Sequence, residues 1–186
     1  MQAIRRIGPL SLLALATLAL AMLGLATLAP AAPSAPAEFT HRHADDWINS
    51  APLTLAALRG KVVMVEFWAF ECDNCLKSRG WIESLERSRG HDGLVIIGVH
   101  TPELPAERNP RAVHDAVERL GIRYPVMIDG DASYWRALHA QYWPTFYLIG
   151  RDGLLYGAVP GEMHVGDARA QQVEAAIDQL LKAPAT

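Results

Sequence analysis

The chain is poor in cysteine. Cys72 and Cys75 are the only two among 186 residues, and they sit in a C-x-x-C spacing. A bridge across so short a loop does little to constrain the unfolded chain, because that effect grows with loop length. A disulfide-stapled scaffold is thereby excluded. A basic stripe is also missing. Lys and Arg number 17 against 20 Asp and Glu, for a formal net charge of -3. Nothing in that balance asks for nucleic acid. There is no internal repeat, and the length suits one ordinary domain plus a targeting segment.

What is present begins with an export signal. Arg5 and Arg6 form a positive n-region, and residues 10–29 follow as an uncharged Leu/Ala-rich run of about one membrane thickness. Ala29-Pro30-Ala31 fits the A-x-A cleavage pattern, which puts a mature start near Ala32. Two readings stand: a cleaved signal peptide, or an uncleaved membrane anchor with the domain outside the cytoplasm. The neighbours of the arginine pair, Ile4 and Ile7-Gly8-Pro9, speak against the twin-arginine route. Either reading places the cysteines in an oxidising compartment. Residues 30–36 are rich in Ala, Pro and Ser and read as a linker.

Beyond the linker, patterning predicts a short strand over 46–48 and one helical turn over 54–58, stopped by Gly60. Residues 61–68 (KVVMVEFW) are β-branched and apolar almost throughout, the pattern of a strand buried on both faces. A helix is expected over 76–88, a second buried strand over 94–99 and a loop over 102–110. Helices over 111–120 and 133–139 follow, with a short strand over 124–128 between them. Gly121 marks the end of the first helix, and Asp131 or Ser133 caps the second. Residues 145–149 and 154–159 flank Arg151-Asp152-Gly153 as a hairpin, and a helix over 166–182 closes the chain. Buried strands alternating with helices define an α/β class, and the hairpin adds antiparallel edges.

The cysteines fall where the strand over 61–68 ends and a helix begins, the position favoured for sites in open α/β sheets. A thiolate is the nucleophile in disulfide exchange. At a helix N-terminus it meets unpaired backbone N–H groups and the positive end of the dipole. Cys72 is therefore the expected attacker, and Cys75, one turn on, the resolving sulfur. A lone C-x-x-C supplies only half a tetrahedral zinc site, and no pair of the seven His residues accompanies it. His41 and His43 lie in a segment expected to be flexible, and His100, at a strand end, reads as structural. Neither a metal nor a cofactor is expected.

The motif VVMVEFWAFECDNC resembles the thioredoxin active-site strand and loop, in particular that of exported TlpA/ResA-type thiol–disulfide oxidoreductases. The resemblance continues through LVIIGVHTPE, YPVMIDGD and YWPTFYLIGRDG, covering about residues 47–181, and GVHTPE and YWPTFYLI look closest to the thioredoxin-like domain of DipZ-type proteins. It implies a thioredoxin-like α/β fold: a central mixed sheet flanked by helices, in a single domain over 38–186, after a signal peptide or anchor over 1–31 and a linker over 32–37. It implies a periplasmic location, disulfide-bearing exported proteins as substrates, and a membrane electron donor of the CcdA/DsbD type. It also implies a cis-proline at Pro144, facing the cysteines. Read without it, Pro144 is a strand-initiating proline. The family keeps an acid beneath the cysteines, and Glu66 falls there. Glu66 is the one charge inside an apolar strand, so it is either a buried proton acceptor for Cys75 or a carboxylate reaching water or Lys61. The resemblance has Trp143 present its backbone to substrate, with Phe70 and Trp68 also around the site.

The sequence departs from the thioredoxin pattern at Glu71, where Trp is usual, and at Asp73 and Asn74, where Gly-Pro is usual. Acid near sulfur raises a thiol pKa. A less stable thiolate lowers the reduction potential. These residues are therefore expected to tune the pair toward reduction of protein disulfides. A peroxiredoxin-like peroxide reductase is an alternative, but Thr101-Pro102 has no cysteine after it. A thiol-based metal chaperone is the other.

Overall fold

The computed structural model describes residues 32–184. The expected targeting segment over 1–31 lies outside the described residues. Ten elements carry the architecture: β1 Trp47–Ile48, β2 Val62–Trp68, α1 Asp73–Arg89, β3 Leu94–His100, α2 Pro110–Arg119, β4 Val126–Ile128, α3 Ser133–Ala137, β5 Thr145–Ile149, β6 Leu155–Pro160 and α4 Ala168–Lys182. Four short 3-10 turns connect them, at Ala44–Asp46, Ala56–Leu58, Gly90–Asp92 and Pro105–Arg108.

The six strands among the described residues form one sheet in the order β1-β4-β3-β2-β5-β6. β2 runs parallel to β3, and β3 to β4. β5 pairs antiparallel with β2, β6 with β5, and β1 with β4. All seven residues of β2 are buried, as its unbroken apolar run predicts. Period-2 alternation sorts them. Val62, Met64 and Trp68 enter one core cluster with Cys75, Trp81, Val117 and Ile177, so α1, α2 and α4 cover that face. Val63, Val65 and Phe67 enter the other cluster, with Phe39, Trp47 and Tyr134. Glu66 has the parity of the first face, opposite Gly98 and Phe146.

Local chemistry sets most boundaries. Asn109 caps α2 by accepting from the Arg111 amide at 3.0 Å, and Pro110 follows at the first helical position. Gly121, at φ 66°, ends that helix in the left-handed region. Gly153, at φ 72°, turns the hairpin.

Three expectations need correction. The helix over 76–88 begins earlier, at Asp73, because Cys72 itself is its N-cap. The cap of α3 is shared: Asp131 accepts from the Ser133 amide, while Asp129 accepts from the Tyr134 and Trp135 amides at 3.0 and 2.9 Å. Finally, the stretch 32–37 is not wholly a linker. Ser34 exchanges two backbone hydrogen bonds with Leu155 at the start of β6, and the Ala37 carbonyl accepts from the Tyr134 hydroxyl at 3.3 Å.

Candidate active site

β2 delivers the chain to the top of the sheet, and residues 69–72 turn it into α1. Cys72 has extended backbone, φ -79° and ψ 104°, and its sulfur accepts from the Cys75 amide at 3.2 Å. A sulfur held there sits on the orphan donors and positive dipole end of a 17-residue helix. That environment favours thiolate over thiol. Cys72 and Cys75 are joined in a disulfide, with Cα atoms 5.3 Å apart. The two sulfurs are not equivalent. Cys72 lines an open cleft of about 520 Å³, whereas Cys75 is 1% exposed and packs into the core beneath.

The cleft wall is mostly acid and aromatic: Glu71, Asp73, Glu103, Tyr142 and Trp143, with Asn74 and Gln141 between. Glu71, Asp73 and Asn74 are exposed. The Trp143–Pro144 bond is cis. Trp143 is pinned by its indole N–H to the Thr101 carbonyl at 3.0 Å and stacks on Trp135 with centroids 4.0 Å apart. Its own backbone N–H and C=O form no hydrogen bond among the described residues. Phe70 is placed differently from expectation. It does not line the cleft but stacks on His100, 5.4 Å between centroids, with Trp68 edge-on to the same ring. This aromatic cage buries His100 with neither ring nitrogen partnered among the described residues, and desolvation lowers its pKa to about 4.

Glu66 lies in the sheet on the face that carries both sulfurs. It is buried, and desolvation raises its pKa to about 8, against the lowering effects of the Tyr124 hydrogen bond and the Arg79 charge. The Tyr124 hydroxyl donates to it at 3.2 Å. At 2% exposure it does not reach the surface, and Lys61 is not its partner among the described residues. Gly98, opposite Glu66, makes room for this arrangement: a Cβ there would lie 3.0 Å from the Trp68 indole nitrogen and 3.1 Å from the Tyr124 ring.

Sequence reasoning missed Tyr124, Glu103, Tyr142 and above all Glu107. Glu107 is 1% exposed, in the loop between β3 and α2. Its carboxylate accepts from the backbone amides of Glu71 and Glu103, both at 2.8 Å, and of Leu104 at 2.7 Å. One buried carboxylate thus ties the residue before Cys72 to the opposite rim of the cleft. The only signal was an acid near a proline in a polar loop, which has no periodicity to betray it. His41, too, differs from expectation: it is half-buried and bonded to Asp129 and Asp131 at 3.1 and 3.2 Å.

Fold and site together define a class. This is a thioredoxin-like domain with a single C-x-x-C pair at the head of a helix. The chain belongs to the Redoxin family, whose profile matches residues 38–176. It is 40% identical over 114 residues to protein DipZ of Mycobacterium bovis, covering 58% of this chain and 16% of that protein. It is 28% identical over 115 residues to the thiol-disulfide oxidoreductase ResA of Bacillus subtilis, covering 62% of each. Among solved structures, the thioredoxin-like superfamily protein SPOA0173 superposes with a TM-score of 0.71 at 26% identity, over 83% of this chain and all of that one. The chain spans less than a fifth of the length of DipZ and of other large curated relatives.

Proposed function

We propose that this protein is an exported reductase of protein disulfides. The observation that carries the reading is the asymmetric sulfur pair, with Cys72 facing the cleft and Cys75 sealed below it. In the reduced protein, the Cys72 thiolate attacks one sulfur of a substrate disulfide. The substrate S–S bond breaks, and its other sulfur leaves as a thiolate that takes up a proton. Cys75 then loses its proton to Glu66 and attacks the Cys72 sulfur. The second substrate sulfur departs as a thiolate that takes up a proton, Glu66 gives its proton back to solvent, and the Cys72–Cys75 disulfide remains. Two electrons have passed to the substrate, and a dithiol donor must return them. A membrane donor of the CcdA/DsbD type is the expected source.

The direction rests on the acids. Glu71 and Asp73 flank Cys72, and negative charge there opposes the thiolate. The reduced form is destabilised and the reduction potential lowered. The periplasm is the compartment that the N-terminal signal suggests. Equilibration with glutathione tests the direction: a potential near that of strong oxidants, about -120 mV, would overturn it. Cys75→Ser tests the pair. It should accumulate mixed disulfides on Cys72 that dithiothreitol releases, while the native chain accumulates none. Failure to trap any disulfide-bearing protein or peptide would remove the reading.

A further inference from the structure

We propose that the cleft over Cys72 selects disulfides whose flanking residues are Lys or Arg, on an extended cationic segment of the substrate. The inference rests on the exchange reaction at Cys72 proposed above and names its substrate class. Three carboxylates line the cleft, Glu71, Asp73 and Glu103, and no Lys, Arg or His does. None of the three side chains has a hydrogen-bond or ion-pair partner among the described residues. The cations that follow in sequence are engaged elsewhere. Lys77 faces Glu162 at 3.9 Å, Arg79 binds Glu83 at 2.8 Å, and Arg108 donates to the Gly130 carbonyl at 3.4 Å. The negative charge is therefore left for an incoming group.

The placement of these acids is built into the fold. Asp73 is the first residue of α1 and so stays beside the sulfur. Glu71 and Glu103 belong to different loops, and the Glu107 carboxylate holds both backbones at 2.8 Å. The rim acids thus flank Cys72 from two sides. Tyr142 adds an aromatic face that packing does not use, being 61% exposed in the same wall. A ring beside carboxylates suits the alkyl stem and charged head of Lys or Arg. Acidic substrate segments meet the same carboxylates as repulsion, so discrimination works in both directions.

The test uses three disulfide peptides of equal length, with Lys, Ser or Glu on both sides of the cysteine. Second-order reduction rates are measured for the reduced full chain, each divided by the rate of dithiothreitol with the same peptide. That division removes the intrinsic reactivity of each disulfide. The Lys peptide should outrun the Glu peptide by about tenfold at low salt, falling below about threefold near 0.5 M salt as screening shortens the reach of the charges. In the Glu71→Gln, Asp73→Asn, Glu103→Gln triple variant the Lys:Glu ratio should approach one. The Ser peptide reports any general change in the sulfur. Measurable, equal rates on all three peptides overturn the inference and leave the oxidoreductase reading intact. Selectivity that persists in the triple variant also overturns it. No exchange with any peptide overturns both.

Discussion

Single residues carry the proton and the geometry. Glu66 was legible because a lone acid stood in an apolar strand. Its partner Tyr124 was not, since pairing across 58 positions leaves no local pattern. In the Glu66→Gln variant, the amide still accepts from Tyr124, but the proton acceptor proposed for Cys75 is gone. The resolving step of the native protein should quicken with pH up to about 8, where Glu66 ionises. The variant should lack that rise and be about a hundredfold slower at the plateau, in rapid-mixing measurements of mixed-disulfide decay. Glu107 escaped the sequence because its function is to accept three amides, a task any loop acid could hold. In Glu107→Ala those donors lose their acceptor. The oxidised protein should lose about 2 kcal/mol or more in urea denaturation, because three hydrogen bonds to one buried carboxylate are lost together. Glu107→Ala should also weaken the Lys:Glu selectivity, since the rim acids are no longer fixed.

Elements were read well where periodicity is strong. The seven-residue β2 and β3 and the amphipathic α2 came within a residue or two of their observed ends. The start of α1 was placed too late because its cap is a sulfur, outside the usual oxygen caps. α3 is only five residues long, too short for its own pattern, and is held by Asp129 from outside. The pairing of Ser34 with β6 was hidden by a composition typical of linkers. Within β3, Gly98 is the position at which two rings crowd the strand. In Gly98→Ala the Trp68 indole or Tyr124 must shift by several tenths of an ångström. Thermal unfolding should fall, by about 1–3 kcal/mol for overpacking, and the alkaline inflection of the resolving step should move as the Tyr124–Glu66 bond changes. An unchanged pH profile would show that the pair tolerates the methyl.

At the scale of the whole molecule, two buried groups shape stability against pH. Glu66 titrates near 8 in the fold against 4.5 ordinarily, so its stabilising contribution is complete below 4.5 and is lost as pH rises through 8. His100 runs the other way: its contribution is present above 6.5 and is lost as pH falls through about 4. Between 4.5 and 6.5 the two slopes cancel. The oxidised protein, whose cysteines cannot titrate, should therefore show a plateau there. Above 6.5 it should lose about 2 kcal/mol by pH 8, at about 1.4 kcal/mol per unit. Glu66→Gln should flatten that alkaline limb and turn the plateau into a rise of about 1.4 kcal/mol per unit up to 6.5, because the His100 slope is no longer offset.

In the proposed exchange reaction, the burial of Cys75 also sets how long the protein and its client stay joined. A third thiol in solution has no route to the inner sulfur and competes only at the cleft-facing bond, in a bimolecular reaction that slows as that thiol is diluted. The covalent intermediate is cut from within, by a group already docked beneath the bond, and where solution thiol is dilute its lifetime is a property of the enzyme. Clients are let go at an internally clocked rate, even where free reductant is scarce.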